Sequence, residues 1–270
     1  MHHDDDLRRL EQRGAPALPA ADVTGLMEID GAKIWFARYG SGRPVVLLHG
    51  GMGNSTNWAY LVPELLAANH SVILIDSRGH GRSSWDGTAF SYDKMARDSR
   101  AVLDYLDISR AAFVGWSDGA DIGLALADKT PELVEGLFYF ACNVDPSGAK
   151  PFKMTGAIER MLIQHRRDYA AQSPAPDGFE TVFKAVQQMQ STQPNYTRDQ
   201  LARIRAPITI CLGEHDEFIP IEHLQYVAGA LPQARFVLLP KVSHFAPLQR
   251  PKEFNGAVLE FLGGLKWQGA

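Results

Sequence analysis

Gly115-Trp116-Ser117-Asp118-Gly119 decides the reading of this 270-residue chain. An apolar run of strand length, residues 111–116, precedes the serine. A helical stretch over 118–129 follows it and is closed by Pro131. Gly-x-Ser-x-Gly between a strand and a helix puts the serine on a sharp turn, with its hydroxyl projecting above a sheet. Glycines on either side leave room for that strained turn. The next helix aims free backbone N–H groups at the same point, where they favour developing negative charge. Ser117 is the expected nucleophile. At an ordinary turn the same five residues would be a chance match; the flanking strand and helix argue against that.

Working outward, strand-length apolar runs alternate with amphipathic stretches. Upstream, residues 26–30 and 33–39 read as a hairpin around Asp30-Gly31, a strong turn pair. Residues 45–49 and 72–76 read as buried strands. Helices are expected over 58–68 and 92–106, where apolar residues recur at spacings of three and four. Downstream, strands are expected over 134–142, 208–213 and 235–239, and helices near 221–230 and 252–262. This alternation implies an α/β fold, a parallel sheet covered by helices on both faces. Residues 143–205 break the rhythm with two helical stretches, near 153–167 and 178–191. Met154, Ile158, Met161 and Leu162 share one apolar stripe there, and Phe179, Val182, Phe183 and Val186 another. The expected organisation is a flexible leader over 1–22, a core over 23–142 and 206–270, and a helical cap over 143–205.

A serine hydroxyl needs a base. Of nine histidines, His2 and His3 lie in the leader. His70, His165 and His223 fall in helices or at their ends, where solvation is expected. His49 and His80 look like loop-shaping residues. His244 follows the last strand, at the carboxyl edge of the sheet where sites form in open α/β folds. It is the expected base. Asp216, after the penultimate strand, is the expected acid that orients the imidazole; Glu214 and Glu217 are local rivals, and Asp145 is the main alternative. Acyl transfer also needs donors for the oxyanion. The backbone N–H groups of Gly51 and Asp118 are assigned to it, with Met52 as a substitute for Gly51. Met52, Trp116 and Asp118 are candidate substrate contacts. The Asp118 carboxylate would oppose negative charge beside Ser117 unless a substrate amine or an arginine such as Arg78 answers it.

His49-Gly50-Gly51, Asp76-Ser77-Arg78-Gly79-His80-Gly81-Arg82-Ser83, Gly115-Trp116-Ser117-Asp118-Gly119, Gly213-Glu214-His215-Asp216 and Ser243-His244 together resemble the motif series of the α/β-hydrolase superfamily, over about residues 25–263. The resemblance implies a mostly parallel eight-stranded sheet flanked by helices and a helical cap after the sixth strand. It also implies a small-molecule substrate, no metal and no organic cofactor. The Trp-Ser-Asp elbow is similar to that of biphenyl-hydrolase-like enzymes of the valacyclovir hydrolase type, which act on amino-acid esters. Epoxide hydrolases and haloalkane dehalogenases place Asp where this chain has Ser117. The leading expectation is a serine hydrolase of small carboxylic esters, thioesters, lactones or amides working through an acyl-enzyme. Cofactor-free perhydrolases or haloperoxidases and carbon–carbon hydrolases use the same triad and stay open, as does a non-catalytic ligand-binding protein.

Bulk properties agree with a soluble enzyme. The apolar fraction is 45%, the charged fraction 21% and the net charge −4, with no basic run for nucleic acid. No apolar stretch is long enough to span a membrane. Cys142 and Cys211 are expected to be free and buried. The leader has no apolar signal core, which favours a cytoplasmic location; a periplasmic or secreted one stays open if a native signal was removed. A homodimer also stays open.

Overall fold

The computed structural model describes residues 5–267; His2 and His3 lie outside the described residues. Strands β1 (Val23–Ile29) and β2 (Ala32–Tyr39) form the antiparallel hairpin expected at Asp30-Gly31. Both turn residues take positive φ, 47° and 78°, as a two-residue turn matching the strand twist requires. Six parallel strands follow: β3 (Arg43–Leu48), β4 (His70–Ile75), β5 (Ala111–Trp116), β6 (Val134–Phe140), β7 (Ile208–Gly213) and β8 (Ala234–Leu239). The eight-stranded order is β1-β2-β4-β3-β5-β6-β7-β8. Strands β5, β6 and β7 are buried along their whole length, which is why they read as near-continuous apolar runs.

The helices are α1 (Asp5–Arg13), α2 (Val62–Ala67), α3 (Tyr92–Tyr105), α4 (Asp118–Lys129), α5 (Gly156–Gln172), α6 (Phe179–Gln190), α7 (Arg198–Leu201), α8 (Ile221–Ala230), α9 (Ala246–Gln249) and α10 (Pro251–Gly264). Two differ from expectation for local reasons. The stretch expected as one helix over 58–68 begins as a 3-10 turn, Ser55–Trp58, and the α-helix starts only where Pro63 fits its first turn. In the 143–205 segment, α5 begins where the Thr155 side chain accepts the Ile158 N–H at 3.3 Å. Met154 therefore precedes the helix and is exposed, whereas Ile158, Met161, Phe179, Val182 and Val186 are buried.

The flexible leader expected over 1–22 needs correction. Residues 5–13 form α1, which packs against α5 and α9 and buries Leu7 and Leu10. Glu11 stands 3.5 Å from Arg160 of α5. A nine-residue helix is marginal alone in water; the two leucines three apart hold it through tertiary packing. Its charged composition hid that role. Both cysteines are free and buried.

Strand order positions the site. β3 has β4 on one side and β5 on the other, and the chain visits the two in succession. The crevice at such a switch point, beyond the carboxyl ends of the strands, is where open α/β sheets bind ligands. Leu48 of β3 pairs with Gly115 of β5, so the Gly50-Gly51 loop and the Ser117 turn leave the sheet side by side.

Candidate active site

Ser117 takes φ 52° and ψ −126° between β5 and α4. A non-glycine residue there stores roughly 1–3 kcal/mol of strain, held by its surroundings. Two bonds do the holding: the Ser117 N–H donates to the Phe140 carbonyl at 2.8 Å, and the Ala120 N–H to the Ser117 carbonyl at 2.7 Å. The first turn of α4 lies against the end of β3. A Cβ on Gly119 would stand 2.0 Å from the Leu48 carbonyl oxygen, so only glycine permits the approach.

The neighbouring loop is built to hold its backbone. A Cβ on Gly50 would stand 3.1 Å from the Ser117 Cβ, so the loop touches the elbow. The Gly53 N–H closes the turn on the Gly50 carbonyl at 3.0 Å, and Met52 sits buried at φ 61°. His49 braces the turn through both ring nitrogens. Nδ1–H donates to the Gly50 carbonyl at 2.8 Å, and Nε2 accepts the Ser77 N–H at 3.0 Å. Burial lowers its pKa, in keeping with the neutral ring these bonds require. Asp76 accepts the Ser55 N–H at 2.7 Å and the Arg82 N–H at 2.9 Å, tying the loop to the Arg78–Ser83 stretch. A Cβ on Gly51 would stand 2.7 Å from Asp118 Oδ2, so this part of the loop lies against the residue that follows Ser117. As the first residue of α4, Asp118 has no intrahelical acceptor for its own N–H.

On the other side, β7 and β8 end together, Gly213 pairing with Leu239. The loops beyond them bring Asp216 and His244 into contact. His244 Nδ1 stands 2.9 Å from Asp216 Oδ2, with both side chains almost fully buried. Asp216 Oδ1 accepts the N–H groups of Phe218 and Ile219, each at 2.8 Å, so the carboxylate cannot rotate away. Burial works against charge on His244, but the charge and hydrogen bond of Asp216 outweigh it and raise the imidazole pKa. The Phe218 ring meets the imidazole edge-on at 4.7 Å. The rival acids are occupied elsewhere. Glu214 accepts the Lys241 N–H at 2.7 Å, Glu217 accepts the backbone N–H of His244 at 3.0 Å, and Asp145 caps its own turn through the Ser147 N–H at 3.0 Å. Trp116 is buried behind the imidazole, 6.1 Å from His244 and 6.3 Å from Trp58, ring to ring.

Asp118 has partners that sequence reasoning missed. Its Oδ1 accepts the Tyr92 hydroxyl at 3.0 Å, and both its oxygens face the Gln190 amide, at 3.0 and 3.1 Å. Arg78 is not among them: it is paired with Asp98 at 2.6–2.7 Å and lies 3.5 Å from Asp86. Burial raises the Asp118 pKa, and the bonds from Gln190 and Tyr92 only moderate the rise. One turn on, Asp121 is buried between the Tyr139 hydroxyl at 2.8 Å and the Cys142 thiol at 3.0 Å, and burial pushes its pKa well up.

The 143–205 segment touches the site at several points. Besides Gln190, at the end of α6, Lys150 Nζ donates to the Asp216 carbonyl at 2.6 Å, and Gln172 of α5 reaches Asn54 at 3.4 Å. His165, expected to be solvated, instead turns Nε2 into the interior. Helical spacing carried no signal for these contacts, because it reports which face is apolar and not which polar side chain will meet a distant loop.

Known proteins resemble this chain over most of its length. A sequence profile described as the alpha/beta hydrolase family matches residues 45–257. The putative carbamate hydrolase RutD of Pseudomonas savastanoi pv. phaseolicola is 27% identical over 245 residues, covering 81% of this chain and 93% of that protein. The mouse serine hydrolase BPHL is 25% identical over 257 residues, covering 90% and 87%. Among solved structures, Est816, described as an N-acyl homoserine lactone degrading enzyme, is 30% identical and superposes with a TM-score of 0.71, covering 87% of this chain and 99% of that one.

Proposed function

The chain belongs to the alpha/beta hydrolase family and is a hydrolase, and from that premise we propose that it cleaves a small carboxylic ester, thioester, lactone or amide with Ser117 as nucleophile, His244 as base and Asp216 as orienting acid. The observation that carries this reading is the 2.9 Å bond between His244 Nδ1 and an Asp216 whose other oxygen is already held by two backbone amides. That bond leaves His244 Nε2 as the nitrogen that accepts a proton. His244 takes the Ser117 proton as Oγ attacks the carbonyl. The oxyanion that forms is met by the N–H groups of Gly51 and Asp118. Collapse of the intermediate expels the leaving group with the proton from His244. Water, deprotonated by the same imidazole, then releases the acid and restores Ser117.

Residues 143–205 act in this proposal as a cap that shapes the substrate pocket. The contacts of Gln190 with Asp118 and of Lys150 with the Asp216 loop support it. The likeness to Est816 supports including lactones in the substrate range.

The test is turnover of p-nitrophenyl esters by wild-type protein and by Ser117→Ala. A burst stoichiometric with enzyme followed by steady hydrolysis is expected from the wild type where deacylation is slow. Ser117→Ala is expected to lose about 10⁴-fold or more in kcat while keeping its melting temperature. Retention of a tenth of the activity would remove Ser117 from the role.

A further inference from the structure

A cavity of about 500 Å³ lies apart from the triad: neither Ser117, Asp216 nor His244 lines it. One part of its wall is the N-terminal chain, Leu10 of α1 and residues 14–18, which run on without regular structure. Another part is α5, which contributes Gln164, Asp168 and Gln172. Those three recur every four residues, so they form one polar stripe along the helix. Leu248 of α9 and Arg82 also line the space. The volume is that of a small-ligand pocket.

The two charged groups on the lining are not in the same condition. Arg82 is answered: Nη1 stands 3.2 Å from Asp76 Oδ2, and the guanidinium lies over the Trp35 ring at 4.2 Å. Asp168 is not. Its Oδ1 accepts the Gln164 amide at 2.8 Å and Asn54 bonds it as well, but both partners are neutral, and no cation pairs with it among the described residues. Taking a carboxylate partly out of water is costly until an opposite charge arrives. Beside this carboxylate the lining is apolar. Leu10 and Leu248 are buried, and Leu18 packs partly buried against the core.

We propose that this cavity is a second ligand site, which takes a small amphipathic amine. The ammonium group donates to the Asp168 carboxylate, and the apolar body lies along Leu10, Leu18 and Leu248. The ammonium has three hydrogens to give, and the amide oxygens of the α5 stripe can accept those that Asp168 does not. An anionic ligand meets the opposite arrangement, with Arg82 already committed to Asp76 and Asp168 repelling it. No triad residue takes part, so the site does not depend on the Ser117 reading.

The probe is 2-phenylethylamine, titrated calorimetrically at about neutral pH, where its amine is charged and a carboxylate ionised. It is compared with 2-phenylethanol and 3-phenylpropanoate, which keep the apolar body and replace ammonium by hydroxyl or carboxylate. Wild type is expected to bind one amine per chain, at least about tenfold more tightly than the alcohol, and the anion more weakly still. Asp168→Asn keeps the shape and should bring amine and alcohol within about twofold of each other. Gln164→Lys sets an ammonium one turn from Asp168 on the same face and should remove the preference in the same way. Asp118→Asn and Ser117→Ala alter the proposed catalytic site and should keep the wild-type preference. If Asp168→Asn does not fold, Gln164→Lys decides. The proposal is overturned if wild type binds the amine no more tightly than the alcohol. It is overturned equally if the preference survives in Asp168→Asn or Gln164→Lys, or if Asp118→Asn abolishes it. None of these outcomes touches the Ser117 reading, which falls only if Ser117→Ala remains active.

Discussion

Asp216, against His244, and Asp118, next to Ser117 in the chain, are both buried carboxyls, and their surroundings differ in kind. On the β7–β8 side, Asp216 faces the imidazole of His244 and has two backbone N–H groups on its other oxygen. On the α4 side, the Asp118 carboxyl is answered among the described residues by two neutral donors, the Tyr92 hydroxyl and the Gln190 amide, and burial raises its pKa. The difference teaches where this site wants negative charge. In the proposed mechanism, a fixed anion beside His244 stabilises the imidazolium that forms when Ser117 gives up its proton. Beside the oxyanion a second anion would oppose the reaction, and a carboxyl that is buried and answered by neutral groups carries its charge less readily.

The sharpest way to break this comparison is Asp216→Asn. We expect a loss of about 10⁴-fold in kcat, as for removal of an orienting acid, and a change within about threefold for Asp145→Asn. Stopped kinetics of ester hydrolysis check both; the reverse order would move the acid to the loop after β6. The same variant tests the electrostatics. His244 must be neutral to accept the Ser117 proton, so kcat/KM rises with pH through the imidazole pKa. Asp216 raises that pKa, so the wild-type midpoint should lie above the ordinary value of about 6.5. In Asp216→Asn, burial opposes the charge with less to offset it, and the midpoint should move down. A midpoint that stays put would mean that Asp216 does not set the protonation of His244.

On the α4 side the expected effects are smaller. Tyr92→Phe removes a hydroxyl buried against Asp118. It should cost about 1–3 kcal/mol of stability by denaturant unfolding, the usual penalty for stranding a buried acceptor. Asp118→Asn keeps the shape and the backbone N–H. It should change kcat/KM by less than about tenfold, and equally for matched esters with and without an α-amino group, because Tyr92 and Gln190 already occupy the carboxylate. A fall confined to the amino ester would assign Asp118 to amine binding and remove the contrast between the two carboxyls.

How legible each part was in the sequence follows from how local it is. The Asp30-Gly31 hairpin, the Ser117 turn and the continuous apolar strands depend on residues adjacent in the chain, and they stand where the patterns put them. The contact between Asp216 and His244, 28 residues apart, was legible because each lies in the loop that follows a strand, in a fold that takes its acid and its histidine in that chain order. The partners of Asp118 were not. Tyr92 and Gln190 lie 26 and 72 residues away, on helices whose periodicity reports only an apolar face. Charge composition misread α1, whose Leu7 and Leu10 find their cover in α5 and α9.

By itself, then, the sequence determined that this chain is an α/β hydrolase with a serine on a strained turn, because backbone geometry and hydrophobic periodicity are written within a few residues. Only the tertiary structure decided that Asp118 meets neutral donors, that Arg78 is committed to Asp98, and that His80 and His165 each turn an unpartnered nitrogen inward. Which polar group meets which is settled when long loops close and water is squeezed out. At that point a partner tens of residues away stabilises a buried charge or lone pair as well as a near one does.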